Sequence, residues 1–203
     1  IDVPRALALA AAFTKRYGYE RVGDVDGAYG SPTCSTKDRV YSVLMGQGGY
    51  EIPVTDEDCA QWAKAAVAWI DAQKESEFAT NCKTALKTGN LKLLGFLACI
   101  PNQILKEQRK AAERETFKYA EKPVEGAKIV VRAKVAKVEF AEGTYGDYTK
   151  ITLHDVKWGK LWTSSGAGWA KEISEGDMIS GTMIINTTKD FISFGKFGRK
   201  VEV

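Results

Sequence analysis

The spacing of apolar residues changes along this chain, from a helical period in the first half to alternation in the second. Residues 1 to about 118 carry apolar side chains three or four positions apart, as in Trp62, Ala66 and Trp69, which is typical of amphipathic helices. Residues from about 127 onward alternate between apolar and polar types, which is typical of strands with one buried face. The pattern predicts a helical region followed by a β region.

Capping and turn residues divide the first half into separate helices. Pro4 stands where a first-turn proline is tolerated, and Thr55 followed by three acidic residues forms a capping-box-like start. Pro101 is expected to break or kink the last helix, and the glycine-rich stretch 18–32 is predicted to be a loop. The predicted helices cover residues 4–17, 36–44, 55 to about 70, 75–86 and 90–117.

The second half predicts a small barrel. Its first strand changes register near Ala136 and Lys137, which indicates a β-bulge, and a helical turn is predicted over 169–173. The predicted strands cover residues 129–140, 148–155, 160–164, 178–187 and 191–199. A long bulged first strand and an irregular segment between the third and fourth strands favour an OB-fold β-barrel over a plain sandwich. The fold class is therefore α+β, with a helical domain at 1–122 and an OB-fold domain at 123–203.

Composition excludes several classes of protein. The 203 residues are 44% hydrophobic and 27% charged, with a net charge of +3, so the chain is neither disordered nor able to hold nucleic acid by bulk charge. The four cysteines lack C-x-x-C spacing and there is one histidine, which disfavours a zinc site and a disulfide scaffold. Reduced thiols and a cytoplasmic location are the prediction.

Membrane insertion and secretion are not indicated. The apolar stretch 6–13 is far shorter than the roughly 18 residues of a membrane span and is not followed by a clear cleavage site, so a helix explains it better. Because the chain begins with Ile rather than Met, we expect further residues to precede it.

Enzyme motifs are not found either. The sequence has no G-x-x-x-x-G-K-[ST] loop, no G-x-G-x-x-G after a strand and no G-x-S-x-G. His154 has no indicated nucleophile, and the acidic residues 56–58 are explained by a helix N-terminus. We therefore predict a protein that is not an enzyme, with no cofactor and no metal.

Aromatic and basic side chains share the solvent face of the predicted strands, which is the combination that single-stranded nucleic acid requires. Tyr145 lies in the first turn, and the last strand interleaves aromatic and basic residues. The candidate nucleic-acid-binding residues are Arg132, Lys134, Tyr145, Tyr148, Lys150, Lys160, Trp162, Phe191 and Lys196. Each also has a plainer interpretation, since Trp162 could close the barrel end and strand lysines often only deter edge pairing.

The segments 145–155, 159–165, 175–177 and 181–182, which read YGDYTKITLHD, GKLWTSS, EGD and GT, resemble the C-terminal OB-type domain of phage-encoded replication-associated proteins. That domain commonly follows a helical region. The resemblance covers about 80 residues and implies single-stranded DNA binding or a related role in phage DNA metabolism, in the host cytoplasm.

Three hypotheses about function remain open. The first is a single-stranded DNA-binding protein of replication or recombination that binds without sequence preference. The second is a protein-protein interaction module for replication or host proteins, favoured by the twelve basic and ten acidic residues of 123–203. The third is a structural virion component. Single-stranded DNA is the predicted partner, with replication or recombination proteins and a second copy of the chain as further candidates.

Overall fold

The chain forms two compact units, residues 1–110 and 111–203. A computed structural model describes residues 1–21, 34–47, 49–144 and 146–202, without the side chains of 199, 200 and 202. Within these ranges the backbone forms six α-helices, one 3₁₀ turn and five strands. The second unit begins at Ala111, within the last turns of a helix that ends at Thr116. It therefore starts about ten residues before the domain boundary predicted at 122/123.

The first unit is helical. α1 is the central helix, because eight of its residues between Ala6 and Thr14 are buried rather than one face alone. Thr55 and Asp58 form the predicted capping box, in which each side chain accepts from the other residue's backbone N–H. The helices are α1 (Val3–Tyr17), α2 (Thr36–Leu44), α3 (Asp56–Asp71), α4 (Glu77–Thr88) and α5 (Leu94–Thr116), with the 3₁₀ turn at Leu91–Leu93.

Two expectations for this unit need comment. Of the break or kink expected at Pro101, the break does not occur, because α5 continues through it. Pro101 is buried in the apolar core, where packing offsets the missing N–H that makes proline unfavourable within a helix. The predicted loop at 18–32 falls largely outside the described residues, of which only 18–21 belong to it.

The second unit is built around a closed barrel, and the predicted fold class is confirmed over the described residues. Around the barrel the strands follow the order β1-β2-β3-β5-β4, with β1 paired to β4 and with β3 and β5 parallel. A short helix α6 (Gly168–Glu172) lies between β3 and β4, which gives an OB-like arrangement. The strands are β1 (Lys128–Ala141), β2 (Tyr148–Asp155), β3 (Gly159–Ser165), β4 (Met178–Lys189) and β5 (Ile192–Glu202).

Alternation along the strands separates the barrel core from its outer face. Ile151 and Leu153 on β2, and Leu161 on β3, are fully buried, whereas the residues between them are partly exposed. The register of β1 against β2 shifts between Val135 and Lys137, so the predicted bulge is confirmed.

The segment between β3 and β4 closes the barrel at this bulge. Val135 donates its N–H to the Asp177 carbonyl and accepts from the Gly176 N–H, both at 2.8 Å. Trp169 of α6 packs edge-on against Phe197, with ring centroids 5.6 Å apart. The bulged strand is therefore held by the connector.

Candidate nucleic-acid interface

Strand register brings the predicted aromatic and basic side chains onto one surface. Directly paired residues of neighbouring strands point to the same side of a sheet. Lys150 is opposite Ser164, Thr152 is opposite Trp162, and Trp162 is in turn opposite Phe194. We call this surface the ring face, and its members are Tyr148, Lys150, Thr152, His154, Lys160, Trp162, Ser164 and Phe194.

Two aromatic rings occupy the middle of the ring face. The centroids of Trp162 and Phe194 lie 5.7 Å apart at an interplanar angle of 53°, and both side chains are partly exposed. Phe194 was not among the predicted site residues, although its position parity differs from that of Phe191 and Phe197. That parity was the available signal, because Phe197 packs against the core while Phe194 points outward.

Tyr148 and Lys150 extend the ring face toward the turn between β1 and β2. The Lys150 ammonium lies 5.8 Å from the centre of the Tyr148 ring, and it forms no ion pair with any residue that the structure describes. Tyr145, the predicted residue of this turn, lies outside the described residues.

β1 adds cations along the edge of the ring face. Lys137 is opposite Thr152 but pairs with the Glu139 carboxylate at 2.7 Å. Lys134 is exposed opposite His154, and Arg132 is exposed two residues earlier on the same side. The cations therefore follow one edge of the ring face, with Glu139 as the opposing charge.

The other end of the ring face is covered by the chain itself. Residues 113–121, which we call the cap segment, include the end of α5 and the residues after it. The Glu113 carboxylate accepts from the Lys160 ammonium at 2.7 Å, and the Phe117 ring meets the His154 ring edge-on at 4.9 Å. The predicted site residue Lys160 is thus on the ring face but already paired, with its side chain only 17% exposed.

The turn between β4 and β5 lies beside the cap segment. Arg114 approaches the Asp190 carboxylate at 3.3 Å, and its guanidinium and the Lys160 ammonium each lie 5.8 Å from the Phe191 ring centre. Phe191 therefore borders a cleft of about 280 Å³ whose walls include Phe117 and Trp158. It is not part of the open ring face.

Lys196, the last predicted residue, is exposed two positions beyond Phe194. Its neighbour across the sheet is Ile184 of β4. Since the pairing of β3 with β5 ends at Phe194, Lys196 lies on the part of β5 that turns away from β3.

Asp155 fixes the hairpin that supports this end of the barrel. Its buried carboxylate accepts from the backbone N–H groups of Arg132, Lys157 and Trp158 at 2.8–3.0 Å. The following Gly159 has φ +73°, and a Cβ there would lie 2.9 Å from the Ala120 Cβ. Glycine therefore permits both the turn and the close approach of the cap segment.

The environment of His154 disfavours its charged form. Burial lowers the pKa of His154 below its ordinary value, and the positive charge of Lys160 lowers it further, while Glu113 opposes the shift. The ring is therefore neutral at pH 7 and presents an uncharged, stackable surface to Phe117.

Other site chemistry is not suggested by the described residues. The four cysteines carry free thiols, and within the described ranges no cluster of three His, Cys, Asp or Glu side chains has the arrangement of metal ligands. Of the helices in the described part of the chain, none has both the length and the hydropathy to cross a bilayer.

Comparison with known proteins found no relative of this chain. No protein family, no curated protein and no solved structure matches this chain.

Proposed function

We propose that the barrel binds single-stranded DNA on the ring face, without sequence preference, in DNA replication or recombination. The observation that carries the proposal is the Trp162–Phe194 pair, two partly exposed rings 5.7 Å apart at the centre of the face. Every base has an aromatic face, so stacking on such rings tolerates any sequence. The β2–β3 surface is also the one with which OB-folds bind oligonucleotides.

The residues around the two rings supply the contacts that a strand needs. Bases stack on Trp162 and Phe194, with Tyr148 as a further platform. Lys150 supplies an ammonium group for a phosphate beside these rings, and Arg132 and Lys134 lie on the neighbouring strand. Since Glu139 offsets one cation of this edge, stacking contributes more to affinity than charge does.

A binding role fits these residues better than catalysis. Both Asp155 oxygens accept backbone hydrogen bonds, and the His154 ring is packed against Phe117. Asp155 therefore holds the hairpin, and the His154 ring serves as a packing surface for Phe117.

Fluorescence anisotropy with labelled oligo-dT at low salt tests the proposal. Trp162→Ala is expected to weaken binding about fivefold to 150-fold, because stacking contributes roughly 1–3 kcal/mol per base. Lys150→Ala is expected to weaken binding and to reduce the dependence on log[salt] by about 0.7.

Lys171→Ala is the matched control, since it removes the same charge from an exposed position on α6. Variants must keep the thermal midpoint of the parent. Should Trp162→Ala and Lys150→Ala fold normally and bind like Lys171→Ala, the ring face is not the binding surface.

A second candidate is a protein-interaction module. Val130, Met178 and Ile184 lie on the β1–β4 side of the barrel and are 75%, 53% and 47% exposed. Exposed apolar side chains of this kind mark interaction surfaces when they are contiguous. The same titration separates the candidates, since a parent protein that does not bind oligo-dT at low salt would favour this one.

A further inference from the structure

The cap segment places a carboxylate and an aromatic ring on the ring face, next to the open rings. Lys160 precedes Trp162 by two positions on β3, and His154 is opposite Lys160. Two residues along a strand span about 6.6 Å, so these side chains form the next contact site along the same surface. Glu113 and Phe117 occupy it.

The chemistry of these two contacts matches that of a nucleotide. A phosphate would bind the Lys160 ammonium, where the Glu113 carboxylate now lies at 2.7 Å. A base would stack on the His154 ring, where the Phe117 ring now lies at 4.9 Å. The cap segment therefore supplies one anion and one aromatic ring, the two kinds of group that a single nucleotide would supply.

We propose that the cap segment is an internal competitor of single-stranded DNA, and that a strand extending beyond Trp162 displaces Glu113 and Phe117 to reach Lys160 and His154. The proposal rests on the proposed function, and it adds a covered nucleotide contact site and its regulation. Binding would then occur in two stages, first on the open rings and afterwards on the site that the cap segment vacates.

The outer contacts of the cap segment are of the kind that a strand can break. The ion pair of Arg114 with Asp190 is about 60% exposed on both sides, as is that of Lys157 with Glu121, and exposed pairs contribute little to stability. By contrast, the chain is anchored from the last residue of the cap segment onward, since Glu121 donates its N–H to the Lys157 carbonyl and Gly126 donates to the Ile185 carbonyl, both at 2.8 Å, and Pro123 is buried. Residues 113–120 can therefore lift while the chain from Glu121 to Gly126 stays in place.

Substitutions within the cap segment test the competition. Glu113→Gln removes the charge that pairs with Lys160, and Phe117→Ala removes the ring from His154. Each is expected to tighten oligo-dT binding about threefold to tenfold in the anisotropy assay, because the strand no longer displaces that contact.

Two controls lie in the same segment. Glu115→Gln removes the same charge from a side chain that pairs with Lys118 and not with the barrel, and Tyr119→Ala removes a ring that is 88% exposed. Both are expected to change the affinity less than their matched partners do. Thermal unfolding of each variant shows whether it is folded. If Phe117→Ala does not fold, Glu113→Gln still tests the competition.

The outcomes distinguish this inference from the proposed function. If the parent binds oligo-dT through Trp162, yet Glu113→Gln and Phe117→Ala bind no more tightly than their controls, the competition is refuted and the DNA-binding role stands. If neither the parent nor these two variants bind, both proposals fail.

Discussion

At the scale of single residues, His154 is the natural probe of the ring face. It is the one histidine of the sequence, and the charged groups that face it are Lys160 on β3, Lys134 on β1 and Glu113 on the cap segment. Burial is the larger cause of its lowered pKa, and the positive charge of Lys160 is the smaller one. We therefore expect an NMR titration of the ring protons to give a pKa below the unperturbed value of about 6.5.

The sign of the linked stability follows from that shift. The unfolded chain takes up a proton at His154 before the folded chain does as the pH falls. The contribution of His154 to stability is therefore fully present above about pH 6.5 and is lost as the pH falls toward the lower folded pKa. Phe117→Ala exposes the ring and is expected to raise its pKa toward 6.5, whereas Tyr119→Ala leaves it unchanged. A pKa at or above 6.5 in the parent would contradict this description of the site.

Asp155 allows a stability prediction at the same scale. Its buried carboxylate accepts from three backbone N–H groups, so Asp155→Ala leaves three partly buried donors without this partner and is expected to cost about 3 kcal/mol. Urea unfolding measures the loss. Glu142→Ala, at an exposed turn position, is expected to stay within about 0.5 kcal/mol of the parent, and equal effects at both sites would show that Asp155 does not hold the hairpin.

At the scale of elements, β4 and β5 approach each other closely at Gly195. A Cβ on Gly195 would lie 2.5 Å from the Ile184 carbonyl oxygen and 2.9 Å from Met183 Cγ. Because the nearest obstacle is backbone, Gly195→Ala is expected to destabilise the barrel by about 2–3 kcal/mol in thermal or urea unfolding.

Gly198 provides the control on the same strand. A Cβ there meets its nearest atom, the Thr182 carbonyl oxygen, at 3.6 Å, so Gly198→Ala is expected to be close to neutral. If Gly195→Ala is equally neutral, the two strands do not pack as closely as described.

The sequence predicted the helices and strands better than it predicted contacts between distant residues. Alternation is local, so it predicted the buried face of β2 and β3 and the bulge at Val135–Lys137. Thr55 and Asp58 predicted the start of α3 because capping depends on neighbouring residues. The break expected at Pro101 does not occur, since burial in the core decides whether a proline is tolerated within a helix, and burial is a tertiary property.

At the scale of the whole molecule, the cap segment shows what sequence could not reveal. Residues 106–118 are charged and polar, which suggested a solvated helix, and the lysine contacted by Glu113 is 47 residues further along the chain. Nothing local predicts that pair. Alternation along β3 predicted that Lys160 lies on the outer face, but the pairing of Lys160 with Glu113 of α5 depends on the tertiary fold.

The charge of the ring face sets the expected salt dependence. Lys150 on the ring face and Arg132 and Lys134 along its edge form no ion pair with the described residues, whereas Lys137 is paired with Glu139. With about 0.7 per neutralised phosphate, the slope of log K against log[salt] for oligo-dT is expected to lie between about −1 and −3. Anisotropy at several salt concentrations measures it. A much steeper slope would place the strand on a more basic surface than the ring face.

Ultraviolet cross-linking of oligo-dT to the intact protein, followed by mass spectrometry of the cross-linked peptides, tests the central claim most directly. Stacked aromatic side chains are the expected attachment points, and fragmentation separates Trp162 from the packed Trp169. The account predicts cross-links at Trp162 and Phe194, lost when unlabelled oligonucleotide is added in excess. Cross-links confined to the β1–β4 side of the barrel or to residues 1–110 would contradict it.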